Sequence, residues 1–343
     1  MDFLKRVMRG EHLSADEMAL TIGRLMDGEE PPARIAGLLV ALAIKGETPE
    51  EIIGAARAMR ERALRVDHGL PLVMDVVGTG GDGAQTINIS TAAAIVVAGA
   101  GVHVAKHGGR AASSRCGSAD VLEALGVEIA LEPGEAARRL RRDRMTFLFA
   151  PSFHPAMKNA APVRRELGVP TIFNILGPLT NPAGAQRQVL GVAQQRLVRI
   201  MAEALVGLGC ERGAVIHSLD GIDELSGAAP AELALIRDGG IVFSRLDPAD
   251  YDVRAELADL RGGDAGENAR ALESILRGER SARADVVALN AALALEVSGV
   301  AEDVREGLAL ARKSIVEGAA LAILEAMRAS HRDPAAAQTE GAR

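Results

Sequence analysis

The chain has 343 residues, of which 48% are hydrophobic, 25% charged and only 2% aromatic; 39 Lys+Arg against 46 Asp+Glu leave a net charge of −7. At ~150 residues per domain this is a folded chain of about two domains. Its acidity and its lack of aromatics exclude an open basic nucleic-acid surface and a base-stacking platform, and its two cysteines, Cys116 and Cys210, exclude a disulfide framework.

The opening Met1-Asp2-Phe3-Leu4-Lys5-Arg6 has no apolar stretch behind its charges, and the longest apolar runs, Ile35–Ile44 and Ala92–Val102, fall short of the ~20 residues of a spanning helix. A soluble, cytoplasmic protein without membrane partners is expected. Residues 1–66 read as helical throughout. Ser14 before Ala15-Asp16-Glu17 is an N-cap, Pro32 opens a helix with Ile35, Leu38, Leu39 and Leu42 on one face, and Thr48 with Glu51 forms a capping box. The apolar faces exceed the needs of one short bundle, so part of them is expected to pack on another domain or a second subunit.

From Leu70 the pattern changes. Strands are predicted at Leu72–Val77, Val102–Ala105, Val127–Ala130, Thr146–Phe149 and Ala214–His217, with helices between them at Thr91–Ala100, Ala119–Leu125, Glu135–Arg142 and Gln195–Leu208. Such alternation implies a parallel sheet. Leu233–Arg237 and Ile241–Ser244 flank Asp238-Gly239-Gly240, a hairpin signal. Ala265–Arg277, Arg283–Val297 and Ala301–Met327 read as helical, Pro162–Gly168 as a helix ending at its glycine, and 333–343 as a disordered tail.

Three segments carry chemistry. Gly78-Thr79-Gly80-Gly81-Asp82-Gly83 lies between a strand and the helix that starts near Asn88-Ile89-Ser90-Thr91, where glycines and free helical N–H groups suit a phosphate or diphosphate. It also spells GxGxxG, but the next strand ends in Lys106-His107 where a dinucleotide fold needs an acid. Asp82 would repel a diphosphate unless a cation or an N–H network intervenes. Lys106-His107-Gly108-Gly109-Arg110-Ala111-Ala112-Ser113-Ser114-Arg115 forms a second, cationic loop after the second strand, followed by Ser118 as a helix cap. Asp220-Gly221-Ile222-Asp223-Glu224 places acids at a third strand end. Two anion loops and paired carboxylates suggest a magnesium–diphosphate substrate; no His/Cys set has zinc spacing.

These segments, with Gly117-Ser118-Ala119-Asp120, His154-Pro155-Ala156-Met157-Lys158, Pro162–Gly168 and Asn174–Pro182, resemble the anthranilate phosphoribosyltransferase family in content and order, from Phe3 to about Met327. The resemblance implies a nucleoside phosphorylase/phosphoribosyltransferase-like α/β fold. Its larger α/β domain (67–154 plus 183–332), with a mostly parallel sheet flanked by helices, binds the donor and Mg²⁺. A small all-helical domain (1–66 plus about 155–182) serves dimerisation and clamps anthranilate.

The implied reaction moves the phosphoribosyl group of 5-phosphoribosyl 1-diphosphate (PRPP) to the amine of anthranilate, a step of tryptophan biosynthesis, in a homodimer that uses Mg²⁺, expected as two ions with the diphosphate. Carried over position by position, Gly78, Gly81 and Asp82 line the diphosphate and acceptor side. Thr86, Asn88, Ile89, Ser90, Thr91 and Ser118 belong to the PRPP site, and Lys106, His107, Gly108, Gly109, Arg110, Ala111, Ala112, Ser113 and Ser114 form the second anion loop. Ser90, Asp223 and Glu224 ligate metal, and Arg164 binds the anthranilate carboxylate. Lys106, His107 and Arg164 are the residues expected to act in catalysis. One position departs: Gly109 stands where the family reads Asn, so a side-chain contact to anthranilate is missing. Pyrimidine nucleoside phosphorolysis and a catalytically silent nucleic-acid-binding paralogue are the alternatives.

Overall fold

A computed structural model describes residues 3–111 and 114–332. Ala112 and Ser113, expected in the second anion loop, and the tail 333–343 lie outside the described residues.

Four helices come first: α1 (Phe3–Met8), α2 (Ala15–Met26), α3 (Pro32–Lys45) and α4 (Pro49–Glu61). The predicted caps are present: Ser14 accepts from the Glu17 N–H, and Thr48 accepts from the Glu51 N–H, each answered by the glutamate. Glu51 does more than cap. Fully buried, it accepts from the Leu13 N–H and pairs with Lys45 at 2.8 Å. α2 and α4 touch at Gly54, where a Cβ would stand 2.1 Å from the Ala15 carbonyl oxygen.

The rest of the chain builds one seven-stranded sheet. Its first half holds β1 (Met74–Gly78), α5 (Ile89–Gly99), β2 (Val104–Gly108), α6 (Ser118–Ala124), α7 (Pro133–Asp143) and β3 (Met145–Phe149). An excursion follows through the short helices α8 (Ala150–Phe153), α9 (Ala161–Leu167) and α10 (Phe173–Leu176). The second half holds β4 (Arg187–Gly191), α11 (Leu197–Gly207), β5 (Arg212–Ser218), β6 (Ala231–Arg237), β7 (Gly240–Leu246), α12 (Ala265–Leu276), α13 (Ala282–Ser298), α14 (Val304–Val316) and α15 (Ala319–Arg332).

The strand order is β3-β2-β1-β4-β5-β6-β7. The first five are parallel and the last two antiparallel. The predicted hairpin joins β6 to β7 with Asp238 (φ 51) and Gly239 (φ 75) in the left-handed region, as a type I′ turn demands. On one face of the sheet α5 is apolar all round because α13 and α15 cover the side the strands do not. On the other face the core of the helical unit runs on without a break: Ile53, Met59, Leu176 and Leu179 share a cluster with Leu205 of α11 and Leu190 and Val215 of the strands.

The sequence expectation fails at four places. Val127–Ala130 is not a strand: Val127, Ile129 and Leu131 alternate into the core, but the segment is not part of the sheet. The central strand β4 is absent from the predicted elements, because its polar start hides it. Gln188 is buried there, with its amide donating to the Pro178 carbonyl at 2.6 Å. Lys106, His107 and Gly108 belong to β2 itself, not to the loop after it. The last predicted helix is two, broken at Gly318 (φ 77).

Candidate active site

The chain winds from β1 to β2 and β3 on one side, then to β4 and β5 on the other. The carboxyl ends of β1, β2, β4 and β5 therefore meet at a topological switch point, where open α/β sheets hold their ligands. A cavity of about 270 Å³ lies there. Gly78, Gly81, Asp82, Thr86, Asn88, Ile89, Ser90, Lys106, His107, Gly108, Gly109, Arg110, Ala111, Ser114, Ser118, Asp223 and Glu224 all line it, together with Asn174 of α10.

The two acids close onto the glycine loop. Asp223, buried, accepts the Gly80 N–H at 2.7 Å, and Glu224, half-buried, accepts the Ser90 N–H at 3.1 Å. So the first donors of α5 and the loop, expected to be open to a phosphate, are held by carboxylates. The approach is so close that a Cβ on Gly191 would overlap the Asp223 backbone. Desolvation raises both carboxyl pKa values well above the ordinary range; repulsion from Asp82 adds to Asp223, and repulsion from Asp223 adds to Glu224.

Lys106 supplies the facing cation. It is 1% exposed, and its Nζ donates to the Val76 carbonyl at 2.6 Å and lies 3.4 Å from Ser90 Oγ. Burial lowers its pKa, and Asp75, Glu224 and Asp223 pull against that. Asp75 is fully buried beneath it and is pushed up to about 6 by desolvation, with Lys106 opposing. Sequence reasoning misses Asp75; a lone carboxylate in an apolar strand is the signal that could find it.

His107 Nδ1 lies 3.1 Å from the Gly177 carbonyl, which only accepts, so Nδ1 carries the proton. Its ring is 5.1 Å from that of His154, also buried. Burial pushes the two imidazoles down to about 3 and about 4. Both are neutral at pH 7.

Several expected donor contacts are engaged within the protein. Asn88 donates to the Cys116 carbonyl and accepts from Asn268 at 2.9 Å, so Asn268 of α12 fixes its rotamer. Thr91 is buried and donates to Ser118 Oγ at 3.1 Å. Arg110 is drawn to Asp120 (2.9 Å) and Glu123 (2.6 Å). Asp120 also accepts the N–H groups of Ala111 and Gly117, both at 2.9 Å, and so fixes both ends of the second loop.

Arg164 does not line the cavity. It stands on α9 with its guanidinium 5.3 Å from the Phe173 ring centroid, and Phe173 precedes the cavity-lining Asn174. Burial lowers its pKa with no carboxylate offsetting the cost, whereas Arg165 is exposed. A part-buried guanidinium of this kind is suited to an incoming carboxylate. Among the described residues no group of three or more His, Cys, Asp or Glu forms an all-protein metal cage. The two acids and Ser90 instead fit an ion that keeps waters and substrate oxygens in its shell.

Anion donors, a buried lysine and paired acids meet at the switch point of this sheet, with a helical unit alongside, an arrangement suited to a phosphorylated substrate that comes with a cation. Comparison with known proteins places the chain among glycosyl transferases. Residues 70–321 match the α/β domain of a glycosyl transferase family, and residues 1–63 match its helical bundle domain. The anthranilate phosphoribosyltransferase of Symbiobacterium thermophilum is 51% identical over 95% of this chain and 96% of its own. The crystal structure of the enzyme from Thermus thermophilus superimposes with a TM-score of 0.90 at 47% identity, covering 97% of this chain and 100% of that one. The Saccharomyces cerevisiae enzyme in complex with PRPP and Mg gives a TM-score of 0.87 at 29% identity over 96% of each chain. It has also been solved with 4-fluoroanthranilate. The chain belongs to the anthranilate phosphoribosyltransferase family.

Proposed function

We propose that this chain transfers the phosphoribosyl group of PRPP to the amine of anthranilate, releasing diphosphate, with Mg²⁺. The observation that carries the reading is the convergence of Lys106, Asp223, Glu224 and the Gly78–Asp82 loop on one cavity at the switch point. The residues fit such an ion: Asp223, Glu224, Asp82 and Ser90 bring oxygen donors to one cavity, and a divalent cation would relieve the burial of Asp223 and Glu224 and their repulsion by Asp82 and Asp223 respectively. Asp223, Glu224 and Ser90 would hold it, and two ions per PRPP are proposed. Bound, the metal neutralises charge on the diphosphate.

At ribose C1 the bond to diphosphate breaks and the bond to the amine nitrogen forms; the proton leaves the nitrogen afterwards. Lys106 offers its ammonium to the departing phosphate oxygens in a dry site, where such a charge counts most. The backbone N–H groups of Gly80 and Ser90, whose hydrogen bonds Asp223 and Glu224 accept here, lie where they could donate to phosphate were those acids to hold a cation. Arg164 fixes the acceptor by its carboxylate and so aims the neutral amine at C1. His107, held near 3, is a weak base at neutral pH, so its role is to position rather than to take the proton.

The organisation proposed is a helical unit of 1–66 plus about 155–182 on an α/β unit of 67–154 plus 183–332, paired as a homodimer through the helical unit. Exposed Met8, Leu20 and Ile44 on α1, α2 and α3 support the pairing, at 70%, 56% and 82% accessibility. PRPP carries several phosphate charges and does not cross a bilayer unaided, which supports a cytoplasmic site of action. The test is the loss of anthranilate fluorescence on adding PRPP. Magnesium-dependent loss is expected; no loss at saturating anthranilate with PRPP bound would overturn the acceptor.

A further inference from the structure

Towards the site, β1 and β2 are held together by side chains. Their paired register is at Met74–Val104. Beyond it, Asp75 Oδ1 accepts the His107 N–H at 3.3 Å, and Lys106 Nζ donates to Val76. Asn181 completes the join: its amide donates to Asp75 Oδ2 at 2.8 Å and to the Ala105 carbonyl at 2.7 Å. Both groups are buried.

Asn181 is itself held firmly. It ends the segment that returns from α10 to the sheet, and successive carbonyls of that segment are fixed by different elements. Gly177 faces His107 Nδ1 at 3.1 Å, Pro178 accepts from Gln188 at 2.6 Å, and Leu179 accepts from Arg60 of α4 at 2.7 Å. These contacts tie the segment to β2, β4 and α4.

We propose that Asp75 and Asn181 are positioning residues for PRPP: together they set where the end of β2 presents Lys106 and His107. Asp75 needs two acceptor oxygens, one for each neighbour, and Asn181 needs both amide hydrogens. Neither touches the cavity, so each acts through β2. The inference rests on the PRPP reading above.

The test compares Asp75→Asn, Asn181→Ala, the double variant and Asn181→Ser in the full chain. Calorimetric PRPP binding with Mg²⁺ and both Michaelis constants are measured. Asp75→Asn keeps the shape but one acceptor, and Asn181→Ser keeps one donor should the alanine variant fail to fold. Expected is a rise of about ten-fold in PRPP Kd and KM in either single variant, with the anthranilate KM within two-fold. The double variant is expected to be no worse than the worse single, because the pair acts as one unit. A lowered Tm with unchanged PRPP Kd, or equal losses for both substrates, would overturn the positioning role. Wild-type turnover reports on the functional reading separately: a wild type that binds PRPP without turnover leaves the Kd comparison decisive, and one that does not bind PRPP overturns both.

Discussion

Asp223 Oδ2 lies 2.4 Å from the point where a Cβ on Gly78 would stand, and 2.7 Å from the Gly80 nitrogen. The glycine at the end of β1 is therefore required by a side chain 145 positions along the chain, whose carboxylate must enter that space. Gly78→Ala is expected to displace Asp223 and to lower kcat/KM by about a hundred-fold, the scale of losing one preorganised electrostatic group. Steady-state kinetics with a Mg²⁺ titration checks it: the variant should need more metal for half-maximal rate.

Asp223→Asn and Glu224→Gln remove one charge each without changing shape. Each is expected to cost about a hundred-fold in kcat/KM and to raise the Mg²⁺ concentration needed for half-maximal rate. Because burial and repulsion strain both carboxylates, the same variants should not lower Tm. Thermal melts without metal decide this, and a lower Tm would mean the acids hold the fold instead.

Arg164 and Arg165 are neighbours with different fates. Arg164→Ala should raise the anthranilate KM by about ten-fold or more, as expected for loss of a charge-assisted hydrogen bond of ~1.5–3 kcal/mol, and leave the PRPP KM alone. Arg165→Ala should change neither constant, since that side chain is exposed.

Gly109 has open space where a side chain would go: a Cβ there meets nothing within 4 Å, and its φ is ordinary. Gly109→Asn therefore fits without strain. One added hydrogen bond of about 1 kcal/mol should lower the anthranilate KM roughly five-fold. Initial rates across a wide anthranilate range measure it.

Buried histidines and buried acids make the stability depend on pH in opposite senses. His107 and His154 are held near 3 and 4 when folded, so the unfolded chain, with imidazoles near 6.5, binds more protons in between. Their stabilisation is complete above about pH 6.5 and is lost as pH falls toward 4. Asp75, Asp223 and Glu224, raised to about 6, about 7 and about 8, work in the opposite sense, losing stabilisation as pH rises through those values. Between pH 7 and pH 5 the histidines and the acids oppose each other, so the histidines alone do not set the net slope. His154→Gln removes one histidine contribution, so its urea midpoint should fall less, or rise more, from pH 7 to pH 5 than that of the wild type.

Local chemistry is legible where its partners are near in sequence. Ser14 with Glu17, Thr48 with Glu51, and Asp238-Gly239 each predict a feature that the structure contains, because caps and tight turns are settled within four residues. Gly168 ends α9 in the left-handed region for the same reason. The loops around Gly78, Lys106 and Asp223 are legible as chemistry, and their meeting follows from strand order. What stays hidden depends on distant partners. β4 lies in the middle of the sheet, yet Gln188 interrupts its apolar pattern to serve Pro178. Val127 and Ile129 alternate like a strand but lie outside the sheet, the Val127 N–H donating instead to the Leu122 carbonyl at the end of α6. Asn181 looks like a turn residue and is in fact spent on Asp75 and Ala105.

The carboxylates that hold the Gly80 and Ser90 N–H groups have a consequence for discrimination. Bare phosphate or diphosphate approaching the loop meets carboxylates on the very donors it would seek, with Lys106 as the cation that faces them. An anion that comes with its own divalent cation would instead meet carboxylates suited to that cation. The arrangement therefore favours an anion paired with a cation over the same anion alone.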